Sequence, residues 1–225
     1  MQKRLSISIF IIFLTISIII FASVFFKGGY GITSTIVVLL SMLPFYAVFE
    51  NRKPKAREIV PIAVMSAVAV VGRLAFAFIP QFKPILAIII ITAMVFGAEE
   101  GFLCGTTSML VSNFFFGQGP WTPWQMFCCG IIGFIAGILS RKGYLKGEIS
   151  LAIFGIASGF FYGGVVDVWS VIGFTSEINL ATAAAIYASS FWFNATLALA
   201  TAFFLYVLAP PLTEKLIRIK IKFGI

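Results

Sequence analysis

The 225-residue sequence has no histidine, only three cysteines and only eight acidic residues. The cysteines, Cys104, Cys128 and Cys129, lie inside apolar runs, without the spacing or the companion ligands of a zinc or iron–sulfur site. We therefore predict no metal centre and no cofactor. The three thiols are expected to serve as small apolar packing residues.

Charge is scarce throughout the chain: 11% of residues are charged and 60% are apolar, against roughly 25% and 45–50% in a soluble domain. The charged residues cluster between apolar stretches close to the ~20 residues that a helix needs to cross hydrocarbon. This pattern predicts an all-α integral membrane protein, a helical bundle of about eight transmembrane helices. The predicted spans are 5–26, 32–49, 58–79, 84–98, 101–116, 123–140, 149–170 and 182–209.

Eight spans leave no room for a soluble domain, and no G-x-x-x-x-G-K-[ST] loop is present to bind nucleotide phosphates. Any ATP-driven step therefore needs another polypeptide. The net charge of +8 is compatible with nucleic-acid binding, but basic residues at span ends are better explained by membrane orientation. We predict no nucleic-acid partner.

The distribution of Lys and Arg predicts the orientation. With the N-terminus in the cytoplasm, thirteen of the sixteen basic residues fall on the cytoplasmic face, as the positive-inside rule requires. The exceptions are Lys27, Arg73 and Lys83. We expect a multi-pass protein with both termini in the cytoplasm and a first span that is retained as an anchor. The polar segment 50–58 separates two N-terminal helices with their linker (1–57) from a six-helix core with a basic C-terminal tail (58–225).

The loops expected on the outer side carry the most unusual residues. Residues 112–125 combine an aromatic run, a Gly/Pro turn and several amide or hydroxyl groups, a mixture that suits recognition of a flat or ring-containing solute. Buried amides need partners that lipid cannot supply, although these amides could bind one another, and tryptophans are common at the membrane interface. The candidates are Asn113, Gln118, Trp121, Trp124, Gln125 and Asn194.

Two helix starts are predicted on this outer side. Thr122 reads as an N-cap, with Pro123 in the first turn and Gln125 three residues after the cap. Lys83-Pro84 marks the second start. Their free N–H groups favour carboxylate, phosphate or carbonyl oxygens. Because the run 84–98 reaches only ~22 Å, its outer end should lie below the surface.

Arg73 lies within a predicted span, about 10 Å below its outer end. A guanidinium at this depth needs a partner, a wet cavity or access to the interface. Asp167 on the seventh span is the expected intramembrane partner, with ligand contact and snorkelling as alternatives.

Small residues recur at a spacing of four, which lets helices approach closely. We expect Gly133 and Gly137, and likewise the set Gly155, Gly159 and Gly163, to pack within the bundle. Ala63 and Ala67 lie near the cytoplasmic end of their span and are candidates for contact with another protein.

Residues 58–209 resemble the substrate-binding S component of energy-coupling factor (ECF) vitamin transporters. The resemblance is carried by six spans with basic cytoplasmic ends, the Ala63-x-x-x-Ala67 pair, the turn Phe82-Lys83-Pro84 and the outer stretch 112–126. It implies a protein of the bacterial cell membrane that captures a vitamin outside and releases it inside. It also implies docking through the alanine pair onto a transmembrane coupling subunit driven by two cytoplasmic ATPases.

In the family that this chain resembles, the loop after the first core helix covers the binding site, which here would be residues 79–83. Cobalamin, a corrinoid, is the preferred ligand on this resemblance, ahead of riboflavin, folate and pantothenate. The role of the two extra N-terminal spans is open. The predicted substrate-binding residues are Arg73, Phe82, Lys83, Asn113, Gln118, Trp121, Trp124, Gln125, Asp167 and Asn194.

Two other classes of function compete with this interpretation. An autonomous ion- or proton-coupled carrier of a small organic solute would use Arg73, Asp167 and Glu177 as coupling charges, of which only the first two lie at a plausible depth. An intramembrane enzyme would have to use Asp167, Glu99 or Glu100 as its base, with no evident nucleophile nearby. We predict that the chain is not an enzyme.

Overall fold

A computed structural model describes residues 30–175 and 179–224, with the side chains of 30–34 and 37 left aside. All regular structure in these ranges is α-helical. The predicted first span, 5–26, and Glu177 lie outside the described residues. The helices are α1 (Tyr30–Asn51), α2 (Ala56–Ala75), α3 (Ile85–Phe96), α4 (Ala98–Phe116), α5 (Thr122–Arg141), α6 (Glu148–Phe174) and α7 (Leu180–Phe223).

The seven helices coincide with the second to eighth predicted spans, and the largest difference is at the end of α7. The prediction stops at residue 209, but α7 continues through Pro210 and Pro211 to Phe223. Proline removes one N–H and disturbs the preceding turn, whereas the residues after it can continue the helix. The segment predicted as a basic tail is therefore helical. Within it, Glu214 and Arg218 form an ion pair one turn apart.

Four helices, α2, α5, α6 and α7, are long and apolar enough to cross a membrane. The 12-residue α3 reaches only ~18 Å, and ten of its residues are buried. It contacts α2, α4, α5, α6 and α7. This short apolar helix therefore lies at the centre of the bundle.

Glycines allow two helix pairs to approach closely. A Cβ on Gly105 of α4 would meet the backbone of Cys129 in α5, and one on Gly159 of α6 would meet the backbone of Ala198 in α7. Gly133 and Gly137 face the backbone of α4 in the same way. The predicted packing role of the glycine sets is confirmed.

Helix α1 packs on the bundle through aromatic side chains. The Phe45 ring stacks on Phe102 of α4, with centroids 4.0 Å apart, and meets the edge of Phe134 of α5 at 5.3 Å. The Tyr46 hydroxyl donates to the Thr106 hydroxyl at 2.7 Å. The second N-terminal helix is therefore part of the packed core.

Basic and acidic groups gather at one end of the bundle, here called the basic end. Arg52 lies 2.9 Å from a Glu99 carboxylate oxygen and 2.8 Å from one of Glu100. The Lys220 ammonium donates to the Val95 carbonyl at 2.5 Å. The turns 76–84 and 117–121 and the end of α6 lie at the opposite end.

Aromatic contacts hold the turn 76–84 well below the tip of the α6–α7 hairpin. Phe82 packs on Phe204 at a centroid distance of 5.0 Å and on Phe203 at 5.6 Å. The first residue of α7, Leu180, is 23 residues before Phe203, roughly 35 Å along the helix axis. The outer end of α3 is therefore recessed, as its length predicted.

Candidate functional site: a polar cavity beside the 76–84 turn

A cavity of about 270 Å³ is lined by the 76–84 turn and by residues of helices α2 to α7. Its volume is close to the lower limit of ligand pockets, roughly 300 Å³. Charged, amide and hydroxyl groups occupy one part of its wall and apolar side chains the other. The polar lining residues are Arg73, Gln81, Lys83, Gln125, Tyr162, Asp167, Ser190 and Asn194.

Arg73 reaches the cavity from the last turn of α2 and is held by α4. Its Nη1 donates to the Ser112 hydroxyl at 2.5 Å and to the Asn113 side-chain oxygen at 2.7 Å. Its guanidinium carbon lies 4.4 Å from the centre of the Phe116 ring. The side chain is fixed by neutral acceptors and a ring face, and no carboxylate within the described ranges pairs with its charge.

Asn113 is the centre of an amide network behind Arg73. It is 1% exposed, and its nitrogen donates to the Gln125 side-chain oxygen at 2.7 Å and to the Thr122 hydroxyl at 3.1 Å. The expectation that these amides can bind one another is met for this pair. The network fixes Gln125 at the cavity wall.

The predicted N-cap at Thr122 is wrong. Helix α5 begins at Thr122 itself, its N-cap is Trp121, and no side chain caps the first turn. The Thr122 hydroxyl instead accepts from the Gly119 N–H at 3.2 Å as well as from Asn113. It joins the turn to the amide network because the Gly119–Thr122 turn brings that N–H within reach.

Asp167 forms a second cluster with α7. It is 6% exposed, and one of its carboxylate oxygens accepts from the Ser190 hydroxyl at 2.5 Å and from the Asn194 amide at 2.8 Å. The predicted pairing of Asp167 with Arg73 is wrong: the two side chains line one cavity, but each bonds neutral partners on the helix packed against it. The close approach of α6 and α7 at Gly163, where an added Cβ would meet the Asn194 side chain, places the amide on the carboxylate.

Lys83 enters the cavity from the 76–84 turn. Gln81 has a φ of 55°, in the left-handed region that few non-glycine residues adopt, and the Lys83 N–H bonds the Gln81 carbonyl at 3.1 Å. The Lys83 ammonium lies 4.8 Å from the centre of the Phe116 ring. Burial, and next the charge of Arg73, lowers the pKa of Lys83.

Five predicted site residues lie outside the cavity wall. Asn113 stands behind it, and Phe82 packs on Phe203 and Phe204. Gln118 is exposed and donates to the Leu110 carbonyl at 3.0 Å. Trp121 is half-buried and packs against the buried apolar residues of the bundle. Trp124 is buried, with its ring 6.4 Å from that of Trp169.

Sequence reasoning missed Gln81, Tyr162 and Ser190, which line the cavity. Ser190 was detectable, because it precedes Asn194 by four residues and therefore lies on the same helix face. Tyr162 and Gln81 carried no such signal. An aromatic residue within an apolar run and a turn glutamine are common in many settings.

Ala63 and Ala67 do not line the cavity and lie on an exposed face of α2. Their neighbours Val64 and Val68 are 53% and 41% exposed. This face is smooth and apolar and is not covered by other described residues.

A larger cavity, of about 510 Å³, lies at the basic end and includes Arg52, Glu99, Glu100, Arg141 and Lys220 in its lining. Both of its carboxylates are already paired, because Arg52 binds Glu99 and Glu100. The smaller cavity, where the charges are not paired with one another, is the better candidate for a solute site.

A helical membrane protein with a small polar cavity near one end is a candidate for solute binding. The chain belongs to the family described as "ECF-type riboflavin transporter, S component", whose model matches residues 53–218, about three quarters of the chain. This family is a transport component and not an enzyme. The matched part begins after α1, in agreement with the resemblance over residues 58–209.

Relatives of the chain are UPF0397 proteins of Aliivibrio and Vibrio species. One from Aliivibrio salmonicida is 30% identical over 141 residues, which cover 60% of this chain and 74% of the relative. One from Vibrio atlanticus is 28% identical over 109 residues, covering 45% and 59%, and one from Vibrio vulnificus is 34% identical with the same coverage. No solved structure matches the chain.

Proposed function

We propose that this chain captures a vitamin-class solute in the cavity between Arg73, Lys83 and Asp167, as the substrate-binding subunit of an ATP-driven ECF-type uptake transporter. The carrying observation is a polar cavity, recessed at the end opposite the basic residues, in a member of the S-component family. The chain would supply binding and translocation. A separate coupling subunit and two ATPases would supply energy.

The proposed orientation places the basic end in the cytoplasm and the cavity on the outer side. Measured along α7 from Lys215, a hydrocarbon layer of ~30 Å takes about 20 residues and ends near Ala195. Asn194 would then lie at the outer boundary of the hydrocarbon, and Ser190 just beyond it. A solute could reach the cavity from water without crossing lipid.

We propose a compact ring-containing solute in place of the corrinoid that the sequence favoured. A corrin macrocycle with its nucleotide tail is several times larger than a cavity of about 270 Å³. A single fused or heterocyclic ring system fits a cavity of this volume, and the description of the matched family names riboflavin. The ring could stack near Phe193 while the polar wall binds its substituents.

The exposed Ala63–Ala67 face of α2 is the proposed docking surface for the transmembrane coupling subunit. Small side chains allow a partner helix to approach closely, and the two alanines have no other described helix against them. Because neither alanine lines the cavity, docking there would leave the cavity free to bind solute.

The central test separates binding from transport. Purified chain in liposomes should bind one member of a panel of riboflavin, folate, pantothenate and cobalamin, yet accumulate none until a coupling subunit and its ATPases are added. Accumulation driven by an ion gradient in the isolated chain would instead establish the secondary carrier. Tight binding of cobalamin alone would overturn the compact solute.

The orientation can be tested by cysteine labelling. All three native cysteines are buried, so they should react little with a thiol reagent. Gln118→Cys should react with a membrane-impermeant thiol reagent in intact cells, and Lys146→Cys only after permeabilisation. The reverse pattern would contradict the proposed outward-facing cavity.

A further inference from the structure

Among the residues that the structure describes, the charges that line the solute cavity do not balance. Arg73 and Lys83 contribute two positive charges, and Asp167 contributes one negative charge. The remaining polar lining groups are amides, hydroxyls and a phenol. An ionised group that is removed from bulk water is costly unless an opposite charge compensates it.

Asp167 does not compensate either cation. Its carboxylate accepts hydrogen bonds from Ser190 and Asn194, both neutral, on the α7 side of the cavity. Arg73 likewise donates to the neutral acceptors Ser112 and Asn113 on the α4 side. Both charged side chains are therefore held in place by neutral neighbours, and neither charge is neutralised by the other.

Lys83 is the less satisfied of the two cations. Within residues 30–175 and 179–224 its ammonium has no hydrogen-bond acceptor and no ion-pair partner, and its contact is the Phe116 ring at 4.8 Å. The guanidinium carbon of Arg73 lies 4.4 Å from the centre of the same ring. Two like charges beside one ring repel each other.

We infer that the solute carries an anionic group, a carboxylate or a phosphate, which binds between Lys83 and Arg73 while the Asp167–Asn194 cluster receives the rest of its polar groups. Such an anion would form charge-assisted hydrogen bonds, which are about twice as strong as neutral ones. It would also reduce the repulsion between the two cations. The inference rests on the proposed function, since it assigns the substrate class of that cavity.

The anionic group between Lys83 and Arg73 could belong to a soluble solute or to a lipid headgroup. The experiment has to distinguish these two sources. Matched pairs that differ in one anionic group serve as probes: riboflavin 5′-phosphate and riboflavin, pantothenate and pantothenol, biotin and biotinamide. Binding is measured by calorimetry on the purified full chain in neutral detergent. For a pair that binds, we expect the anionic member to bind at least tenfold more tightly.

Lys83→Gln should reduce that preference to less than threefold, while Lys146→Gln, in the exposed turn at the basic end, should leave it unchanged. Equal affinity for the charged and neutral members in the wild-type chain would overturn the inference. So would a preference that survives in Lys83→Gln and in Arg73→Gln.

A second measurement needs no solute. Lys83→Gln should raise the unfolding temperature of the ligand-free chain in neutral detergent, because it removes one of two uncompensated like charges, whereas Lys146→Gln should not. A lowered temperature would overturn the inference, since it would mean that the ammonium is already stabilised within the protein. Failure of every probe to bind would count against the proposed function, while this measurement still decides the charge imbalance.

Adding phosphatidylglycerol to the micelles tests whether a lipid headgroup supplies the anionic group. If phosphatidylglycerol stabilises the wild-type chain through Lys83 and no soluble anion does, the anion is a headgroup and the inference fails. Stabilisation by the soluble anionic probes, lost in Lys83→Gln, supports it.

Discussion

Arg73 and Asp167 line the same cavity without forming an ion pair. Each is held by amide and hydroxyl groups of the helix packed against its own, α4 for Arg73 and α7 for Asp167. A direct pair would have closed the cavity and cancelled its field. Their separation leaves both charges available to a solute.

The separation of Arg73 and Asp167 predicts weak coupling in a double-mutant cycle. In the ligand-free chain, Arg73→Gln and Asp167→Asn should change the free energy of unfolding additively to within about 0.5 kcal/mol. Unfolding in mixed micelles is the measurement. A coupling of about 2 kcal/mol or more would indicate that the two side chains pair directly.

Arg73→Ala should weaken solute binding by about 1–3 kcal/mol, because a hydrogen bond to a charged group is lost. Equilibrium binding to the purified chain gives the affinity. Arg141→Ala, at the basic end, is the matched control and should leave affinity unchanged. Unaltered binding in Arg73→Ala would remove Arg73 from the solute site.

Gly159→Ala should destabilise the chain by about 1–3 kcal/mol, because the added methyl group meets the α7 backbone at Ala198. Gly164→Ala lies on the same helix with no atom within 4 Å of the added carbon. It should be neutral or should stabilise by up to about 1 kcal/mol through helix propensity. Thermal unfolding of the two variants side by side tests the close approach of α6 and α7, and equal effects would argue against it.

Phe45→Ala should cost about 3–5 kcal/mol of unfolding free energy, since it removes an aromatic ring buried between Phe102 and Phe134. Leu43→Ala, on the same helix but with 58% of the residue exposed, should change stability by less than about 0.5 kcal/mol. Chemical unfolding of both variants in mixed micelles gives the two values. If Phe45→Ala were as mild as its control, α1 would be peripheral to the bundle.

Replacing both Ala63 and Ala67 by leucine should abolish concentrative uptake and assembly with the coupling subunit, because bulky side chains prevent close helix contact. Solute binding by the isolated chain should be unaffected. Ala184→Leu with Ala188→Leu is a matched control, since these alanines are also exposed and four residues apart, on α7. Loss of binding with the Ala63/Ala67 change, or equal loss of assembly with both changes, would contradict the docking proposal.

Much of the helical organisation could be predicted from the sequence. Apolar run length and the grouping of basic residues indicate the seven described helices, because hydropathy and helix geometry are local properties. Helix α7 continues beyond the end of the predicted span at residue 209, since Pro210 disturbs the turn before it and leaves the later residues free to remain helical. The predicted N-cap at Thr122 is wrong because Asn113, on the preceding helix, bonds the same hydroxyl.

The sequence by itself determined that the chain forms apolar helices, that basic residues gather at one end and that polar residues such as Arg73, Asn113 and Asp167 need partners. Only the tertiary structure decided which partners they have. Helix packing brought Ser112 and Asn113 to Arg73, and Ser190 and Asn194 to Asp167, and so kept the two charges apart. The reason is that pairing depends on which helix faces meet, a nonlocal consequence of close contacts such as that between Gly159 and Ala198.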